Sequence, residues 1–135
     1  MPQSNNWDIT FSHISFLEKA LGRHKCVADY ERSSDIMFTI ERTERRPPLV
    51  AVLIERYTVS LADVLAVMEE FPSVQGIVTA GDWNRYTREA KEYGLAHSVG
   101  VFNITEFLGA LWRTDFVGYV KKDEQGRPIF LYRAS

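Results

Sequence analysis

LVAVLI, Leu49 to Ile54, is the stretch that decides how this chain folds. A strand can be apolar without interruption only where both of its faces are covered, the situation of a central strand in a sheet flanked by helices. Upstream, Ile36, Phe38 and Ile40 alternate with Met37, Thr39 and Glu41, so one face of that strand meets a core. Between the two runs, residues 43–48 are polar and include Glu44, Arg45 and Arg46, as expected of a turn. A shorter, mixed strand is expected at 25–30. Before it, Ser12 is placed to cap a helix carrying Ile14, Leu17 and Leu21 on one side, with Gly22 at its exit.

Downstream the pattern changes period. Ser60 and Asp63 form a capping box ahead of Leu61, Val64, Leu65 and Met68, and Pro72 stops the helix. Residues 74–79 read as a second buried strand. Asp82 is the expected cap of a further helix, with Trp83, Tyr86, Ala90 and Tyr93 turned inward as core and Arg85, Arg88 and Lys91 pointing elsewhere, closed by Gly94. A short strand follows within 95–102. Asn103 and Glu106 then cap a helix bearing Ile104, Phe107, Leu108, Leu111 and Trp112. Residues 116–120 and 128–132 read as a hairpin turning at Gly126.

This order predicts an α/β fold with a mixed central sheet flanked by helices and a C-terminal hairpin: antiparallel pairs in the first half, parallel pairs in the second. The 135 residues suit one domain, with a core at about 12–112 and the hairpin at about 115–133. With 45% hydrophobic and 25% charged residues the chain is too apolar for disorder. Sixteen Lys+Arg against 18 Asp+Glu leave a net charge of -2, so any polyanion must be met by a local patch rather than by the whole molecule. Cys26 is the single cysteine, which excludes an internal disulfide or cysteine-held cluster and suits the cytoplasm. The start of the chain has no basic segment followed by an apolar run, and no run is long enough to span a bilayer, so no membrane partner is expected. His13, His24 and His97 lack metal-ligand spacing, which points to structural or surface roles.

Two carboxylates stand at expected strand rims. Asp35 opens the strand at 36–40, and Glu55 ends LVAVLI, sharing a face with Leu53 and Tyr57 while Arg56 takes the other. If the two strands pair through the 43–48 turn, both acids come to one end of the sheet. A hard cation such as Mg²⁺ takes one or two carboxylates with water and phosphate oxygens, although acids at strand ends are more often simply solvated.

The ordered set SSDIMFTI, LVAVLIERY and VQGIVTAGDWNRYTREAKEYGLAHSVGVFNITEFLGAL resembles the restriction-endonuclease-like, or PD-(D/E)xK, nuclease superfamily, particularly its Mrr-like branch. The resemblance covers residues 12–112. It implies that Asp35 takes the place of the metal-binding Asp and Glu55 that of the Glu in Glu-x-Lys. Glu18 corresponds more loosely to an acid that the first helix sometimes adds. Mg²⁺ or Mn²⁺ would be the cofactor. The motif lysine is replaced by Tyr57, a phenol with a pKa of about 10 that carries no positive charge at neutral pH. Loss of a charged transition-state stabiliser costs on the order of 10²–10³ in rate.

The resemblance therefore implies a nuclease-like domain with a degenerate site, serving to bind nucleic acid, DNA before RNA, or to build a protein assembly such as a homodimer. One alternative is a metal-dependent phosphodiesterase with Asp35, Glu55 and Tyr57 at its centre and a basic residue relocated from elsewhere. Another is a flavodoxin-like domain holding a small ligand at the 79–84 loop, TAGDWN. Candidate nucleic-acid contacts are Arg42, Arg45 and Arg46 at the turn and Arg85 and Arg88 on the later helix.

Overall fold

The computed structural model describes residues 7, 9–81 and 83–134. The first half of the chain forms α1 (Phe11–Arg23), β1 (Val27–Ser33), β2 (Met37–Arg42), β3 (Leu49–Ile54), β4 (Thr58–Val59) and α2 (Leu61–Glu70). The second half forms β5 (Gly76–Thr79), β6 (Arg85–Tyr86), α3 (Arg88–Ala96), β7 (Gly100–Asn103), α4 (Ile104–Ala110), β8 (Lys121–Lys122) and β9 (Pro128–Ile129).

LVAVLI becomes the middle strand of a five-stranded sheet ordered β1-β2-β3-β5-β7. β3 pairs antiparallel with β2, Ile40 opposite Leu49 and Met37 opposite Val52, and parallel with β5, Val52 opposite Ile77. The sheet is therefore mixed, as its sequence pattern requires. Ala51, Val52, Leu53 and Ile54 are all essentially sealed from solvent, as are Ile36, Phe38 and Ile40 on the neighbouring strand. Each large apolar side chain buried in this way contributes about 1.5–3 kcal/mol.

A flavodoxin-like arrangement needs a parallel sheet and a reversal in strand order. Here β2 runs antiparallel to both β1 and β3 and the order runs along the chain without reversal, so the sheet contradicts that alternative.

Several expected boundaries move, each for a local reason. α1 begins at Phe11 with Thr10 as its cap position, so Ser12 lies inside the first turn and Gly22 inside the last. α2 keeps its Ser60–Asp63 capping box but buries Val64 and Val67, leaving Leu65 exposed. Asp82 lies outside the described residues, and the helix expected after it starts later, at Arg88, capped by Thr87 Oγ1 on the Ala90 N–H. The residues before it go instead into β6, which pairs parallel with β4. Of Trp83, Tyr86 and Trp112, Tyr86 alone is sealed; Trp83 is 77% exposed and Trp112 is half exposed.

Gly94 does not end α3. A Cβ there would lie 2.5 Å from the Val99 carbonyl oxygen, so the glycine admits the chain returning into β7. The C-terminal hairpin forms, but its first strand is Lys121–Lys122 and not the expected 116–120, and its second is only Pro128–Ile129, because Tyr132 bridges in parallel to Tyr86 instead. Arg133 N–H donates to the Tyr86 carbonyl, so the tail acts as a third strand beside β4 and β6. Among the described residues no helix is long and apolar enough to cross a membrane.

Candidate functional site

The ladder between β2 and β3 fixes where the two acids lie. With Met37 opposite Val52 and the Leu53 N–H donating to the Ile36 carbonyl, Asp35 comes level with the end of β3 that delivers Glu55. Asp35 does not open the strand, however. Ser34 (φ 47) and Asp35 (φ 68) make the hairpin turn in the left-handed region, which Asp tolerates better than most side chains.

That turn faces a guanidinium. Arg32 Nη1 donates to Asp35 Oδ1 at 3.0 Å, and its Nε lies 3.5 Å from Glu18 Oε2 on α1. Glu18 Oε1 also accepts from the Tyr30 hydroxyl at 3.1 Å; burial, and then this bond, raises the Tyr30 pKa. Two of the three expected acids thus meet, and the cation between them is Arg32.

Glu55 is engaged from another element. Asn84, in the loop leading to β6 and only 6% exposed, donates from Nδ2 to Glu55 Oε1 at 3.0 Å, to Thr79 Oγ1 and to the Ala80 carbonyl. Thr79 in turn donates to the Arg56 carbonyl at 2.7 Å and accepts from the Arg56 N–H. This network ties the carboxyl ends of β3 and β5 together, as buried polar groups require. Among the described residues, no three His, Cys, Asp or Glu side chains are grouped so as to hold a metal ion.

Tyr57 faces solvent, 64% exposed. The guanidinium of Arg133, from the C-terminal tail, lies 3.6 Å from the centre of its ring and is held by the carbonyls of Tyr57 and Trp83 and by Thr58 Oγ1. A cation therefore does stand beside Tyr57, the residue expected at the motif-lysine position. It comes from 76 residues further along the chain, and no spacing rule pointed to it.

The candidate phosphate contacts separate into groups. Arg42 is 8% exposed, and its guanidinium is spent on the carbonyls of Pro47, Leu111 and Arg113; it is a structural bolt between the turn and the end of α4, and the phosphate role expected of it does not fit this burial. Arg46 likewise donates to the Trp112 and Thr43 carbonyls, whereas Arg45 is exposed at the turn. That turn lies at the end of the sheet opposite Asp35 and Glu55. Arg85 donates to the Asn84 carbonyl, and exposed Arg88 lies over the Tyr132 ring at 4.4 Å and pairs with Glu92 at 3.7 Å.

Lys91, expected on the outer side of its helix, is 1% exposed. Its Nζ donates to the Val101 carbonyl at 2.7 Å and sits against the rings of Phe102 and Tyr86. Burial pulls its pKa down to about 8, while the charge of Glu106 opposes the fall. Glu106 accepts from the Tyr86 hydroxyl at 2.7 Å and caps α4; burial, followed by that carboxylate, pushes the Tyr86 phenol well above its usual range. His24 is structural, as expected: Nδ1 accepts from the Cys26 N–H and Nε2 donates to the Leu108 carbonyl.

Comparison with protein-family models, with curated proteins and with solved structures finds no match for this chain.

Proposed function

We infer that the chain is a restriction-endonuclease-like domain with a degenerate active site, which binds nucleic acid without cutting it. The observation that carries this reading is Arg32. Its guanidinium occupies the space between Glu18 and Asp35 that a divalent cation would need, so the cation those acids require is already supplied. The other changes agree with it. Glu55 is bound by Asn84, and the motif-lysine position holds an exposed phenol. The order of elements, one helix, an antiparallel set of three strands with Asp35 in its turn, and then alternating helices and parallel strands, supports the mixed sheet expected from the sequence.

The test is incubation of single- and double-stranded DNA and RNA with the protein and Mg²⁺ or Mn²⁺. All substrates are expected to remain intact. Divalent-dependent cleavage lost in both Asp35→Ala and Glu55→Ala would overturn the reading in favour of a phosphodiesterase, with Arg133 as its relocated cation.

A second reading, protein assembly, is favoured by a recess of about 310 Å³ lined by Ser12, His13, Phe16, Ala80, Gly81 and Ile104. Phe16 on its edge and Phe11, five residues earlier on the same helix, are both mostly exposed. Sedimentation of the purified chain tests it: a concentration-dependent dimer supports assembly, and a monomer at all concentrations opposes it.

A further inference from the structure

The C-terminal tail builds a surface that the acidic rim does not explain. Arg88 and Arg133 face one open cleft of about 390 Å³, completed by Glu89, Tyr132 and Ala134. On one side of it, Phe130 stacks on Tyr132 with ring centres 5.0 Å apart, under the guanidinium of Arg88. On the other side lie Tyr57, stacked against Arg133, and Trp83, whose carbonyl oxygen accepts from Arg133 Nη2. Each of the two cations is thus paired with an aromatic ring, Arg88 with Tyr132 and Arg133 with Tyr57. The bonds to Tyr57, Thr58 and Trp83 fix the Arg133 guanidinium without exhausting its N–H groups.

We propose that this cleft and its flanking rings bind single-stranded nucleic acid, with a phosphate between Arg88 and Arg133 and unstacked bases on Trp83 and Tyr57. The inference rests on the nucleic-acid reading above and names its site and strandedness. Three facts select single strands. A ring 77% exposed, like that of Trp83, can stack on a base only if that base is not already stacked within a duplex. The cleft offers two cations, and the chain as a whole carries a net charge of -2, so attraction is confined to a patch too short to follow both backbones of a duplex. Glu89 lines the cleft and Glu92 pairs with Arg88, which narrows the positive field further.

The test is fluorescence anisotropy of a labelled oligothymidylate and of a labelled duplex, with the full chain and its variants. The single strand is expected to bind more tightly than the duplex. Trp83→Ala should weaken it about tenfold through loss of one stacked base, and Arg88→Glu should weaken it at least as much. Neither residue is in the core, and circular dichroism confirms that each variant folds. Arg45→Ala, at the opposite end of the sheet, should leave affinity unchanged. Tight binding that survives Trp83→Ala and Arg88→Glu but falls in Arg45→Ala overturns the site and keeps the nucleic-acid reading. Preference for the duplex overturns the strandedness. No binding of either probe overturns both.

Discussion

Replacing Lys91 with methionine removes a buried positive charge and keeps most of the side-chain volume. The ammonium ionises at an ordinary value of 10.5 in the unfolded chain and at about 8 in the folded one, because burial disfavours the charged form. The unfolded state therefore binds more protons between these values, and stability attributable to Lys91 rises with pH in that window. Below it the charged side chain costs about 3 kcal/mol relative to its state in water. Against this stand the bond to the Val101 carbonyl and the contacts with Tyr86 and Phe102, together worth about 1–2 kcal/mol. Lys91→Met is thus expected to stabilise the fold by about 1–2 kcal/mol near neutral pH. As pH rises from about 7 to 10, that advantage should fall by about 2–3 kcal/mol and reverse. Urea unfolding of both proteins across this range measures the difference directly, and the neighbouring Glu106 and Tyr86, common to both, largely cancel. A difference that stays constant with pH would refute the assignment of the charge to this buried site.

Four further outcomes are expected. Asn84→Ala removes the donor shared by Glu55, Thr79 and Ala80 and should lower stability by about 1–3 kcal/mol in thermal or urea unfolding. Arg42→Ala strands the Leu111 carbonyl and should cost about 2–4 kcal/mol, whereas Arg45→Ala should change stability by less than about 0.5 kcal/mol. Gly94→Ala brings a methyl group against the Val99 carbonyl and should cost more than about 2 kcal/mol, seen as a lowered urea midpoint. Arg32→Ala uncovers Glu18 and Asp35, and isothermal calorimetry should then detect Mn²⁺ binding tighter than in the parent; equal binding in both would show that Arg32 does not occupy the cation position.

The central strand was legible because burial on both faces leaves its mark on every residue from Leu49 to Ile54. The capping boxes at Ser60 and Asn103 were legible for a similar reason: their chemistry is contained within four consecutive residues. The start of the third helix is not legible, because Trp83 and Tyr86 continue the helical spacing of Ala90 and Tyr93 without belonging to the helix. Arg85 and Tyr86 find a partner in β4, and that tertiary pairing decides their conformation. Lys91 looked like a solvated charge; only the fold reveals that the Val101 carbonyl and two rings enclose it.

At the candidate site the acids themselves could be picked out, but not what holds them. Arg32 lies three residues from Asp35, a spacing that gains meaning only once Ser34 and Asp35 turn the chain back. Asn84 reaches Glu55 across 29 residues, and Arg133 reaches Tyr57 across 76. Contacts of such range leave no local pattern to read. Arg42 shows the converse error, since an arginine in a polar turn reads as solvated until the end of α4 is found above it.

The most direct test of the account is the salt dependence of oligothymidylate binding, measured with Mn²⁺ present and followed by electrophoresis of the same oligonucleotide. A phosphate held between Arg88 and Arg133, with at most one more beside it, predicts that log K falls against log salt with a slope of about -0.7 to -1.4, and that the oligonucleotide is recovered intact. A slope near zero, or an oligonucleotide cut in the presence of the metal, would contradict it.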